Sequence, residues 1–181
     1  MTFAEAYIQL KAYARIDGAL LGLMWVLSFA CFVGQFQYPL CGMMWMASLV
    51  LTPFFVAYRT GRFRNVALDG FISFRRAFAH SAWTFFYAAL ILALAQWAYF
   101  QYLDHGRVVD QLSLLFADKD LQQMLVSMNY PIEQINQAID AWREMRPIDF
   151  ALQTLWANCI ISLILSLPIA AIVKRKKYNL Q

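Results

Sequence analysis

The chain has 181 residues, of which 61% are hydrophobic and only 14% charged, with a formal net charge of +4; soluble domains run near about 45–50% and about 25%. A water-soluble globule of this size could not hide so much apolar surface, so a secreted disulfide scaffold, a disordered tail, a soluble enzyme and a free nucleic-acid-binding domain are excluded. What remains is an all-α polytopic membrane protein.

A helix needs about 20 residues to cross a hydrocarbon core of roughly 30 Å, so tracts lacking Asp, Glu, Lys and Arg locate the spans. Gly18 to Tyr58 is uncharged for 41 residues, Ala77 to Leu103 for 27 and Phe150 to Val173 for 24. The first tract is long enough for two passes, and Gly34-Gln35-Phe36-Gln37-Tyr38-Pro39 in its middle suits a tight reversal. Four transmembrane helices are therefore expected, at 16–36, 40–58, 78–102 and 151–173. The first is read as a retained span rather than a cleaved leader. Ser28 and Phe29 before Cys31 make a poor cleavage site, and apolar character continues past the cysteine.

Within the first span Ala14, Gly18, Gly22, Val26, Ala30 and Gly34 recur every four residues. Such a small-residue seam is expected to be a helix–helix interface, within the bundle or between copies, with a substrate path as the alternative. Arg15 and Asp17 stand at the entrance of this span, and Asp17 is expected to pair with an arginine of the second connection or near Arg15. That connection, 59–76, carries Arg59, Arg62, Arg64, Arg75 and Arg76 among aromatics. It suits anchoring in anionic headgroups, whereas 18 residues pinned to a bilayer make a poor nucleic-acid groove. Arg15, Asp17, Arg75 and Arg76 are the candidate interface charge cluster.

Between the third and fourth spans, residues 104–149 form a short helical insert in which apolar residues recur at helical spacing. Val108, Val109, Leu112, Leu115 and Phe116 make one stripe, Leu121, Met124, Leu125 and Met128 a second, and Ile132, Ile135, Ile139 and Trp142 a third. Asp118 is placed to cap the second helix, Pro131 to open the third, and Pro147 to open the last span. The stripes are expected to pack on one another over the ends of the spans, or to leave one face for a partner. In the fourth span Asn158, Ser162, Ser166 and Ala170 form a second four-residue seam. Pro53 and Pro168 fall inside spans, as static kinks or hinges.

Counting charge by side assigns eleven basic and three acidic residues, a net +8, to the side holding both termini, and four basic and eight acidic residues, a net −4, to the insert. Because basic short loops are retained in the cytoplasm, both termini are expected there and the insert outside. No nucleotide loop, zinc-protease pair or serine elbow occurs, and the two histidines, His80 and His105, fall on opposite sides. No catalytic residue, cofactor or metal set is expected. Cys31 and Cys41 flank the short turn and are read as free thiols, with a bridge as the alternative.

Tyr13-Ala14-Arg15-Ile16-Asp17-Gly18-Ala19-Leu20-Leu21-Gly22, Ile72-Ser73-Phe74-Arg75-Arg76-Ala77-Phe78 and Ser166-Leu167-Pro168-Ile169-Ala170-Ala171-Ile172 resemble a family of small four-span bacterial inner-membrane proteins catalogued only as a domain of unknown function. The resemblance covers nearly the whole chain. It implies four helices and residence in the bacterial inner membrane, with no established activity and no catalytic residue to carry over. The expected partners are the lipid bilayer and either another copy or another membrane protein. The function expected is that of a non-catalytic accessory subunit or homo-oligomer assembling through the small-residue helix seams, the alternatives being a small transporter, flippase or channel, an accessory component of polyprenyl-linked glycan synthesis, or an enzyme acting on a lipid-linked substrate at the outer face.

Overall fold

A computed structural model describes residues 3–175; Lys176 and Lys177 of the basic tail lie outside the described residues. Seven α-helices follow one another: α1 (Phe3–Gly34), α2 (Pro39–Ala67), α3 (Phe74–Tyr99), α4 (Arg107–Phe116), α5 (Lys119–Ser127), α6 (Ile132–Glu144) and α7 (Pro147–Val173). A π-helical turn, Phe100–Asp104, extends α3. Four helices are long and apolar enough to cross a membrane, and the chain is an all-α polytopic membrane protein.

The helices overrun the expected spans at the end that carries both termini. α1 begins at Phe3 rather than Ile16, and α2 continues past Tyr58 to Ala67. Absence of charge marks the hydrocarbon boundary, but a helix stops only where the backbone is broken, and Lys, Arg, Ala and Gln are good helix formers. The second connection therefore shrinks to residues 68–73, where Asp69 (φ 52°) and Gly70 (φ 84°) turn left-handed. The Gly70 amide returns to the Arg64 carbonyl at 3.0 Å. Ser73 then opens α3, its hydroxyl accepting from the Arg76 amide at 3.3 Å. At the opposite end of the α1–α2 hairpin the amides of Gln37 and Tyr38 donate to the Gly34 carbonyl, and Pro39 begins α2 where its missing N–H costs nothing. Pro53 and Pro168 lie inside unbroken helices.

The described residues form two compact units, 3–94 with 153–175 and Ala95–Leu152. In the first, all four long helices contribute to one core: Leu10 and Leu21 from α1, Val56 and Phe63 from α2, Ala77, Phe85 and Ala88 from α3, and Ile169, Ala170 and Val173 from α7. Ile72 and Arg175 pair their backbones (N···O 3.1 and 2.9 Å), and Arg64 donates to the Val173 carbonyl at 2.9 Å, so the end of α7 is strapped to the α2–α3 connection.

The second unit holds the three short helices at the positions the stripes mark. Asp118 caps α5, accepting from the amides of Asp120 (2.9 Å) and Leu121 (3.0 Å). Pro131 occupies the N-cap position of α6, and α7 begins at Pro147. Val108, Val109 and Ile139 are buried, whereas α5 buries none of its residues.

Candidate functional site

The site is built on the crossing of α1 with α3. At Gly18 an added Cβ would stand 2.6 Å from the Tyr87 Cβ and 2.8 Å from the Thr84 carbonyl; at Gly22 it would stand 2.9 Å from the Ile91 Cβ. Only glycine lets the two backbones come this close. Two positions of the seam read from the sequence, Gly18 and Gly22, are thus filled by α3 of the same chain; Ala14 is fully buried, Gly34 faces Cys41 of α2 and Ala30 is exposed.

That close approach places Asp17 among polar side chains of the neighbouring helices. Asp17, only 2% exposed, accepts from Arg59 on α2, whose Nε lies 2.6 Å from Oδ1 and whose Nη2 reaches the same oxygen. On α3, His80 Nε2 lies 3.4 Å from Asp17 Oδ2, an approach whose geometry falls short of a hydrogen bond. The other imidazole nitrogen, Nδ1, is 3.1 Å from Thr60 Oγ1 on α2, and that hydroxyl is 3.1 Å from Ser81 Oγ. Thr84 donates back to the His80 carbonyl at 2.9 Å. Phe63 lies parallel over the imidazole, with centroids 4.5 Å apart and planes 9° apart. His80, Ser81, Thr84 and Thr60 are all fully buried.

The hydroxyl and imidazole contacts form a continuous chain from Ser81 to His80. With Ser81 donating to Thr60 and Thr60 to His80 Nδ1, the remaining Nε2–H faces the Asp17 carboxylate; with both ring nitrogens protonated the two hydroxyl bonds run the other way. Asp17 thus sits between a guanidinium and an imidazole, and buried charge is tolerated because it is paired and hydrogen-bonded. Farther along α1 and α2, Trp25 Nε1 donates to Thr52 at 3.0 Å, Trp25 stacks on Phe85, and the hydroxyls of Ser28 and Ser48 meet.

The charge cluster expected from sequence is brought together only in part. Arg15 and Arg75 are exposed. Arg76 joins through packing: its guanidinium lies 5.7 Å from the Phe63 ring centre, and it donates to Gln9 Oε1 (3.0 Å) and the Ala6 carbonyl (3.4 Å). Ser162 and Ser166 are buried, with Ser166 donating to the Ser162 carbonyl at 2.7 Å, and Asn158 is half-buried. The three cysteines are free. Among the described residues no group of three His, Cys, Asp or Glu side chains could hold a metal ion.

Reading the sequence by formal charge missed Thr60, Phe63, Ser81 and Thr84. A signal existed: Thr52, Val56, Thr60 and Phe63 recur at spacings of four, four and three, one buried face of α2.

A family model described as "Protein of unknown function (DUF4199)" matches residues 17–175. No curated protein and no solved structure matches the chain.

Proposed function

We propose that this chain, which belongs to the DUF4199 family of proteins of unknown function, is a non-catalytic interaction subunit of the bacterial inner membrane, with both termini in the cytoplasm and the insert outside. The observation that carries the reading is the state of the insert. Its charge is −4, yet it exposes Leu114 (67%), Met124 (53%), Met128 (62%) and Tyr130 (59%). Large apolar side chains left uncovered on a charged lobe mark a contact surface, and Met124 of α5 and Met128, the residue that caps its C-terminal end, are four residues apart. The glycines Gly18 and Gly22 of α1 support this division of labour, because they are occupied by α3 and hold the chain together.

The test is mild extraction into nanodiscs followed by native mass determination, with cross-linking in the intact membrane beforehand. A stoichiometric assembly larger than the 20.9 kDa chain, weakened by Met124→Glu with Met128→Glu, is expected. A monomer under every mild condition, with no cross-linked partner, would overturn the proposal. A second reading, a small transporter, is favoured by the buried Asp17, Arg59 and His80, since ionisable groups within a span mark conduction paths. It requires solute or proton flux in proteoliposomes that Asp17→Asn abolishes.

A further inference from the structure

The second unit contains a cleft of about 220 Å³, and we propose that it binds a small organic ammonium ion. The inference is separate from the role of the exposed face of α5. The volume is below the ~300–1,000 Å³ of a pocket for drug-sized molecules, so it suits a group of headgroup size.

Aromatic rings, one buried carboxylate and one ion pair line the space. Phe100 and Phe150 stack with centroids 4.8 Å apart, and Trp142 adds an indole to the lining. Asp104 is 3% exposed. Its Oδ1 accepts from the Tyr99 hydroxyl and the Val108 amide, and its Oδ2 from the Gly106 amide, each at 3.1 Å. An ionised carboxylate offers about four acceptor positions, so these donors leave roughly one, on Oδ2. No cationic side chain hydrogen-bonds to Asp104 among the described residues. The other two charged lining groups answer each other: Arg143 donates to Asp110 at 3.2 Å and to Ser113 at 3.0 Å, and both ions are half or more exposed. The lining therefore carries one net negative charge, held on its most buried member.

The backbone is built to hold Asp104 there. A π-helical turn ends at Asp104, and His105 (φ 48°) and Gly106 (φ 83°) follow in the left-handed region. Both features are uncommon and concentrate at functional positions. An ammonium group matches the aromatic rings and the carboxylate of the lining, Arg143 being already engaged by Asp110 and Ser113: its positive charge is attracted to aromatic rings, its N–H or polarised C–H groups would meet Oδ2, and its alkyl groups would fit against Phe100, Trp142 and Phe150. An anion would meet the electron-rich faces and an unneutralised carboxylate.

Such a group could arrive as a free amine or as the headgroup of a choline or ethanolamine lipid. The test uses the full chain in nanodiscs of phosphatidylglycerol alone, titrated with choline and read by saturation-transfer NMR. Saturable binding is expected, competed by tetramethylammonium and not by acetate, and weakened about tenfold or more by Trp142→Leu. Phe150→Leu serves as a second variant, with circular dichroism showing that each retains the fold. In discs containing phosphatidylcholine, loss of the choline signal identifies the lipid headgroup as occupant, and an undiminished signal identifies the free cation; both support the site. No saturable binding in phosphatidylglycerol discs, equal competition by acetate, or unchanged binding in both folded variants would overturn it.

Discussion

Asp17 and Arg59 are held where neither reaches much water, with side chains 3% and 15% exposed. Removing one partner of such a pair leaves the other buried and uncompensated, a loss of about 3–5 kcal/mol. Arg59→Met should therefore lower the unfolding midpoint in detergent sharply, and Arg59→Met with Asp17→Leu should recover most of it. A double variant as unstable as the single would show that the ion pair is not what matters. The pairing of Asp17 with an arginine of the second connection was legible in the sequence, because it is the acidic residue that borders an uncharged tract on the side where the arginines of that connection lie. Which arginine answers it was not legible. Arg59 comes into register only because α2 runs on through Arg62 and Arg64, and charge counting had ended that helix at Tyr58.

Two glycines make a matched comparison at the same scale. At Gly18 even a methyl group would press on backbone atoms of α3, whereas nothing lies within 4 Å of the Cβ position at Gly61. Gly18→Ala should thus lower thermal stability in micelles, and Gly61→Ala, in the interior of a helix, should raise it by up to about 1 kcal/mol. Equal effects at both positions would contradict the close crossing of α1 and α3.

Among the elements, α5 depends most on local chemistry, since it buries no residue and is too short to persist by propensity alone. Its cap then carries weight. Asp118→Ala removes the acceptor for two amides and should cost about 1 kcal/mol, expressed as faster amide exchange over Lys119–Ser127 with α1 to α3 unchanged. Protection unaltered in α5 would mean that packing, not the cap, sets its stability. The three short helices were legible because their apolar residues recur with a helical period, and the caps because Asp and Pro act within one turn. The lengths of α1 and α2 were not, since absence of charge marks where hydrocarbon ends, and Gly61, three residues past Tyr58, does not stop α2.

For the molecule as a whole, the division of charge between net +8 at the end with the termini and net −4 on the insert predicts an orientation. A cysteine at Lys119 should react with an impermeant maleimide in intact cells, and one at Asn65 only after permeabilisation. Equal reactivity at both would refute the assignment. Four spans were legible from uncharged length alone. The polar interior was less so, because Thr60, Ser81 and Thr84 carry no formal charge and act only through contacts between helices. The cleft in Ala95–Leu152 was hidden for a related reason: Phe100 is far in sequence from Trp142 and Phe150, and ring stacking leaves no periodic trace.

The parallel placement of Phe63 over His80 gives the molecule a built-in spectroscopic gauge. Circulating π electrons shield nuclei lying above a ring, so the His80 imidazole protons should resonate well upfield of those of His105, the other histidine of the chain. His105 is exposed and supplies an internal reference in the same spectrum. Drift of the shielded signals toward the reference, on warming or on changing the lipid, would time the separation of α2 from α3 without any added label.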